Sequence, residues 1–243
     1  MVVKIDINDK LIKFDRCVAC IGFFDGVHLG HKALIDETIA KANLKAIEPS
    51  LICFEPDPLD LINSSKNKHI LTYKDRLRKI KEYGIKNIYV FKFDEDLMNL
   101  DSISFINDYL NKMNIDELIC GFDFTFGYMA KGNAKLLKKY GNFKTTIIPE
   151  KKYYKQKISS SRIKENIMKN NIHLVNKLLD YEYYVNLEVI ECVKKDNNYL
   201  LKTKLVDNRI TMPTNIYNKD GIYEINYPEK VKIGDRIIYK FDE

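Results

Sequence analysis

Two of the chain's four histidines, His28 and His31, stand three residues apart in the stretch CIGFFDGVHLGHKALID at 20–36. Three of its ten glycines, Gly22, Gly26 and Gly30, share that stretch. An apolar, strand-like run precedes the cluster and a helical pattern follows it. A helix start presents free backbone N–H groups and about half a positive charge, which suits phosphate. Glycine lets backbone approach a ligand closely. Two imidazoles in the first helical turn then add donors where negative charge collects. The corner reads as a site for a phosphate-bearing ligand.

Other chemistries fit less well. The stretch has neither the GxGxxG spacing of dinucleotide binders nor the GxxxxGK[ST] of P-loop enzymes. No HExxH is present, and no activated serine or cysteine stands beside a histidine. Cys17 and Cys20 form a CxxC without a second pair to complete a zinc set. On a strand, residues three apart point to opposite faces. Cys53, Cys120 and Cys192 stand in similar apolar, strand-like surroundings, so all five cysteines are expected to be structural thiols.

The elements that must position this corner alternate. Strand signals fall at 18–23, 50–55, 87–93, 117–122 and 144–149, each a short apolar run suited to burial on both faces. Helical patterns fall at 31–44, with apolar residues at 34, 35, 39 and 42, and at 73–83, with Gly84 as a stop. Others lie at 102–113 and 133–140, then at 160–170 and 172–180. This alternation predicts an α/β fold, a Rossmann-like doubly wound parallel sheet with helices on both faces. From 181 the pattern changes to short strands separated by turns, so residues 181–243 are expected to form a small all-β module after a first domain at 1–180.

Composition sets outer limits. The chain has 243 residues, 45% of them hydrophobic, enough for a real core. No apolar run reaches the length of a membrane span and the N-terminus lacks signal-peptide features, so a cytoplasmic protein without a membrane partner is expected. The net charge is +6, and KKYYKQK at 151–157 is the densest basic cluster. It reads as a solvated face or as a rim that attracts phosphate or nucleic acid.

The string H-x-G-H resembles the signature of the HxGH nucleotidyltransferases, which pass a nucleotidyl group from ATP or CTP to a phosphate or similar acceptor. GFFDGVHLGH is similar to the longer signature of bacterial FAD synthetases, the FMN adenylyltransferase part of the riboflavin kinase/FAD synthetase family. FEPDP at 54–58 resembles the family's F-x-P-x-P loop, and LTYKDRLRKIKEYGI its helix before the third strand. GFDFTFG at 121–127 and ISSSRIK at 158–164 resemble two further family motifs. The resemblance covers about residues 15–184. Ser161 stands where the family has Thr and Lys164 where it has Arg, which turns a bidentate phosphate contact into a point charge. In FGYMAKG, Ala130 occupies the more usual basic position.

The resemblance implies transfer of AMP from ATP to FMN, giving FAD and pyrophosphate, with small-molecule substrates and no nucleic-acid partner. It implies His28 and His31 as catalytic residues. Gly22, Phe23, Phe24, Asp25, Gly30, Ser159, Ser160, Ser161, Arg162 and Lys164 are its ATP-binding residues, with Asp25 stabilising the loop. Phe54, Pro56, Pro58, Asp123 and Phe124 are its flavin-binding residues, although Phe124 and Phe126 read equally as core. Mg²⁺ is the expected cofactor, with Asp123 its candidate ligand. The kinase module departs from the family. RITMPTNIYNKDGIY at 209–223 lacks the Gly-rich lead-in, and MPTN falls short of the GFPTAN motif, so kinase activity is expected to be absent. A transferase with another acceptor, a non-catalytic flavin or RNA binder, and a bifunctional kinase/synthetase remain as alternatives.

Overall fold

The computed structural model describes residues 1–8, 14–62, 67–216 and 219–241. The chain divides into two compact units, Met1–Asn67 with Tyr73–Lys157, and Lys68–Thr72 with Ile158–Glu243. The expected boundary at 180 falls inside the second unit, between its helices and its long strands.

The first unit is built on six strands: β1 (Val2–Ile5), β2 (Cys17–Ile21), β3 (Glu48–Glu55), β4 (Asn87–Lys92), β5 (Ile115–Gly121) and β6 (Lys144–Ile148). Their order across the sheet is β1-β4-β3-β2-β5-β6, and every pairing is parallel. From β2 the chain steps outward through β3 to β4, then returns to β2's other side for β5 and β6. The order of travel therefore reverses between β2 and β5, where open parallel sheets bind ligands beyond their carboxyl ends.

Alternation decides which residues face which layer. Cys17, Ala19 and Ile21 join Ile52, Phe54, Tyr89, Phe91, Leu118 and Cys120 in one cluster with Phe105, Ile106, Leu110 and Leu137. The helix α1 (Leu29–Lys45) packs over β2, β3 and β5 and buries Leu34, Ile35, Thr38 and Ala42. The buried Thr38 hydroxyl is satisfied by the Leu34 carbonyl at 2.7 Å. Each fully buried Leu, Ile or Phe contributes about 1.5–3 kcal/mol. The sheet is thus covered on both faces, as the doubly wound reading expects.

The CxxC is divided by the same alternation. Cys17 lies in the aromatic layer, whereas Cys20 bonds toward Thr38 of α1 and, through Sγ, to the Ser50 carbonyl at 3.9 Å. Burial pushes the thiols of Cys17 and Cys120 up to about 11 and those of Cys20 and Cys53 up to about 12. They are protonated and unreactive at neutral pH.

Two elements differ from expectation. β1 has no continuous apolar run, because an edge strand has one sheet neighbour and exposes Val2 and Lys4. Residues 102–112 do not form one α-helix. An α-turn (Ser102–Ser104) passes into a π-turn (Phe105–Tyr109) and a 3₁₀ turn (Leu110–Lys112). The wide turn lets the neighbours Phe105 and Ile106 and the later Leu110 all bury, while the Tyr109 hydroxyl donates to the Ile7 carbonyl at 3.1 Å.

The second unit holds the helices Ser160–Met168 and Ile172–Leu179 and an antiparallel sheet. Its strands are β7 (Tyr184–Lys195), β8 (Asn198–Leu205), β9 (Ile222–Tyr227) and β10 (Arg236–Lys240), in the order β9-β8-β7-β10. Val185, Leu187, Leu201, Thr203, Tyr223, Ile225 and Ile237 alternate onto its buried face. Lys68–Thr72 joins this unit through main-chain bonds of His69 with Arg209 and Thr211.

Gly127 has φ +71°, and a Cβ there meets the backbone of Ser102 at 2.8 Å. Gly234 has φ +90° with open space around it. Gly127→Ala is expected to cost about 3 kcal/mol and Gly234→Ala about 1 kcal/mol, since only the first adds overpacking to an unfavourable dihedral. Urea-denaturation midpoints check the difference.

Candidate active site

β2 ends at Ile21, and the Gly22 amide still bonds to the Ile52 carbonyl of β3 at 3.1 Å. The chain then bends hard. Phe24, Gly26 and Val27 adopt φ of +64°, +77° and +41°. Val27 is β-branched, so this conformation is an outlier, and each such residue costs about 1–3 kcal/mol unless its surroundings hold it. Burial holds it: Phe24 and Val27 are fully enclosed and Asp25 nearly so. The bend delivers His28 in an extended conformation as the N-cap of α1. Gly30 follows in the first turn.

His28 caps the helix with its ring. Its Nδ1 accepts a hydrogen bond from the His31 amide at 3.3 Å, which leaves Nε2 to carry the proton as a donor. The two imidazoles stack, with ring centroids 3.7 Å apart and planes 12° from parallel. Phe24 closes against His31 at 5.1 Å. Burial, foremost, pushes His28 down to about 4, with Lys157 adding to the fall and Asp123 opposing it. His31 is held well below the usual histidine range by burial, by His28 and by Arg76. Both rings are therefore neutral donors at physiological pH. His31 Nδ1 is shielded and has no hydrogen-bond partner among the described residues.

The neighbouring strand β5 ends in Gly121, followed by Phe122 and Asp123. Asp123 is exposed and ion-paired with Lys157, whose ammonium also lies 4.9 Å from the Phe122 ring centroid. Phe124 stacks on Phe126 at 5.5 Å against the core. Phe54 is 8% exposed and packs among Phe91, Phe93 and Phe105. Pro56 and Pro58 stay half-exposed, and Pro58 opens the short helix Pro58–Ile62.

Arg76 was not singled out by sequence. Its guanidinium donates to Glu55 Oε2 at 2.7 Å and lies 4.2 Å from the centroid of the Phe23 ring, with Tyr73 at 5.5 Å. The residue is 3% exposed. A buried charge needs this pairing, and the ring above it fixes where the turn leaves β2. A signal was available: Arg76 stands three residues after Tyr73 and four before Ile80, on the apolar face of its helix.

The serine motif belongs to the second unit. Ser159 caps the helix Ser160–Met168 by accepting from the Arg162 amide at 3.3 Å. Ser160 and Ser161 occupy its first positions, with Arg162 half-buried behind them. Lys164 donates to the Lys68 carbonyl at 3.0 Å.

The family model described as FAD synthetase matches residues 12–162. The chain is similar to bifunctional riboflavin kinase/FMN adenylyltransferases. It is 35% identical to that of Buchnera aphidicola subsp. Schizaphis graminum, over 90% of this chain and 70% of the relative. It is 30% identical to that of Listeria monocytogenes, over 73% of this chain but 58% of the relative, so the match spans little more than half of that protein. A solved structure titled a macrolide-efflux protein, from Streptococcus pneumoniae, superposes with a TM-score of 0.85 at 24% identity. It covers 100% of this chain and 90% of that one, and the likeness concerns the fold alone. No helix among the described residues is long and apolar enough to cross a membrane. With its family model matched over more than half its length and its HxGH corner at the reversal point of a parallel sheet, the chain belongs to the FAD synthetase family.

Proposed function

We propose that this chain transfers AMP from ATP to FMN, releasing pyrophosphate and forming FAD. The observation that carries the reading is a buried, neutral His28 whose Nδ1 is committed to the helix and whose Nε2 is left to donate, at the end of β2. A phosphate monoester has its second pKa near 6, so FMN reaches the site at pH 7 largely as a dianion and needs no general base. One of its oxygens attacks the α-phosphorus in line. A new P–O bond forms, the bond to the bridging oxygen breaks, and pyrophosphate leaves with that electron pair. The protein orients two anions and spreads the charge that grows on the α-phosphoryl oxygens.

His28 and His31 serve as neutral donors to those oxygens, aided by the amides of the first turn of α1. Gly22 to Asp25 shape the approach, with Phe23 pinned by Arg76. Within the first unit, Pro56 and Pro58 line the flavin side; the family resemblance assigns Ser159 to Ser161, Arg162 and Lys164 of the second unit to nucleotide phosphate. The exposed carboxylate of Asp123 fits Mg²⁺, which takes few protein ligands beside water and phosphate oxygens. Asp123 would hold the ion, which when bound neutralises phosphate charge.

The β module does not carry a kinase in this reading. Thr214, in the MPTN stretch, sits in a 3₁₀ turn and donates its hydroxyl to the Met168 carbonyl at 3.0 Å. That bond gives it a structural place in its own unit.

Product chromatography tests the assignment. Supplied with ATP and Mg²⁺, the protein is expected to make FAD from FMN and nothing from riboflavin, phosphopantetheine or nicotinamide mononucleotide. FAD-free reactions with FMN would overturn it. His31→Ala is expected to slow pyrophosphate release by about two to three powers of ten with circular dichroism unchanged. The His28 ring also makes stability depend on pH. Its folded pKa of about 4 lies below the unfolded value, so the unfolded chain binds more protons as pH falls from about 6.5 towards 4. Stability is lost across that window, by up to about 3 kcal/mol from this group. His28→Asn keeps a capping side chain and is expected to lose less between pH 7.5 and 4.5 in urea titrations.

A further inference from the structure

Arg76 is 3% exposed, which leaves its guanidinium almost no surface to offer a substrate, yet it touches the chain where two neighbouring strands release their loops. The main-chain ladder between β2 and β3 runs to the Gly22 amide on the Ile52 carbonyl. Beyond it the two chains part. β2 enters the turn that carries Phe23 and delivers the histidines, and β3 runs on to Glu55 and then Pro56. The Arg76 guanidinium spans that gap. Its Nη2 donates to Glu55 Oε2 at 2.7 Å and to the Phe54 carbonyl at 3.4 Å, and its central carbon lies 4.2 Å from the Phe23 ring centroid. Each anchor is itself fixed. The Glu55 carbonyl accepts from the Phe93 amide at 2.8 Å, and the helix Tyr73–Glu82 that supplies Arg76 packs against the turn Asp25–Val27.

We propose that Arg76 is a positioning residue that braces the histidine turn against the loop after β3, so that one guanidinium sets the spacing of the nucleotide and flavin sides. The turn needs such a brace, because Phe24, Gly26 and Val27 hold positive φ in it. A planar guanidinium lies against a ring and offers N–H groups to a carboxylate at the same time. An ammonium on a flexible stem has only a point charge to divide between the two. In-line transfer requires the acceptor oxygen and the α-phosphorus to be held at reacting distance, and a misplacement of about 1 Å costs about a hundredfold in rate. Slackening the brace therefore slows the chemical step while the groups that contact either substrate stay in place. The inference rests on the adenylyltransferase reading above, which formation of FAD by the unaltered protein tests separately.

Steady-state kinetics of FAD formation, with the folded fraction of each variant measured by urea unfolding, test the brace. Arg76→Lys keeps a charge for Glu55 and is expected to recover most of the stability lost in Arg76→Met. It is nevertheless expected to turn over about tenfold more slowly per folded molecule, with KM for ATP and for FMN within about threefold of the unaltered values. Phe23→Leu and Glu55→Ala, which remove the two anchors, are each expected to show the same fall in kcat of about tenfold. Because the three residues act as one device, Arg76→Lys combined with Phe23→Leu is expected to lose no more than about twentyfold. An arginine that only stabilises the fold predicts kcat per folded molecule within about threefold of the unaltered protein in all of these variants. That result, a loss of about a hundredfold in the double variant, or a loss confined to KM overturns the proposal. If Arg76→Lys does not fold, Phe23→Leu and Glu55→Ala decide the matter by the same criteria.

Discussion

The hydrogen bond from the His31 amide to His28 Nδ1 is the interaction on which the site depends. It begins α1, fixes the tautomer of one imidazole, and holds that ring in stacking contact with the other. It is possible only because the chain leaves β2 through a turn with three residues at positive φ. Such a turn is unfavourable in isolation. It persists because Phe24 and Val27 are enclosed and Phe23 is held against the Arg76 guanidinium. The core thus maintains a local conformation that the local sequence alone disfavours.

Electrostatics follow from the same enclosure. Stacked imidazoles cannot both be charged at 3.7 Å, and burial already disfavours the charged form of each. Arg76 adds a fixed positive charge, and Glu55 balances it. The corner therefore presents neutral donors and helix amides, with its full charges kept on paired groups around it. A phosphoryl transfer needs donors aimed at developing negative charge more than it needs a base, and this is the arrangement on offer.

The second unit presents a different balance. Its four-stranded sheet buries one face and leaves Ile190, Val193 and Ile238 partly exposed on the other strand positions. The segment Lys68–Thr72 is bound into it by main-chain bonds although the residues on either side belong to the parallel-sheet unit. Composition changes near 181 record where the strands begin, but the compact unit starts at Ile158, because the helices Ser160–Met168 and Ile172–Leu179 bury their apolar residues there. Apolar periodicity shows that a helix has a buried face and is silent about which sheet receives it.

The sequence by itself determined the alternation of strands and helices and the place of the histidine corner between β2 and α1. These are local properties, carried by apolar period, glycine placement and residue spacing. It also determined that Cys17 and Cys20 face apart, since a strand's period of two requires it. Only the tertiary structure decided that β5 lies beside β2 and so brings the electric field of Asp123 and Lys157 onto His28. It alone decided that residues 102–112 widen into a π-turn, that Arg76 is buried beneath Phe23, and that Phe54 belongs to the aromatic core. The reason is that strand order, burial and long-range charge depend on pairs of residues far apart in the chain, and no spacing within one segment records which distant segment will become its neighbour.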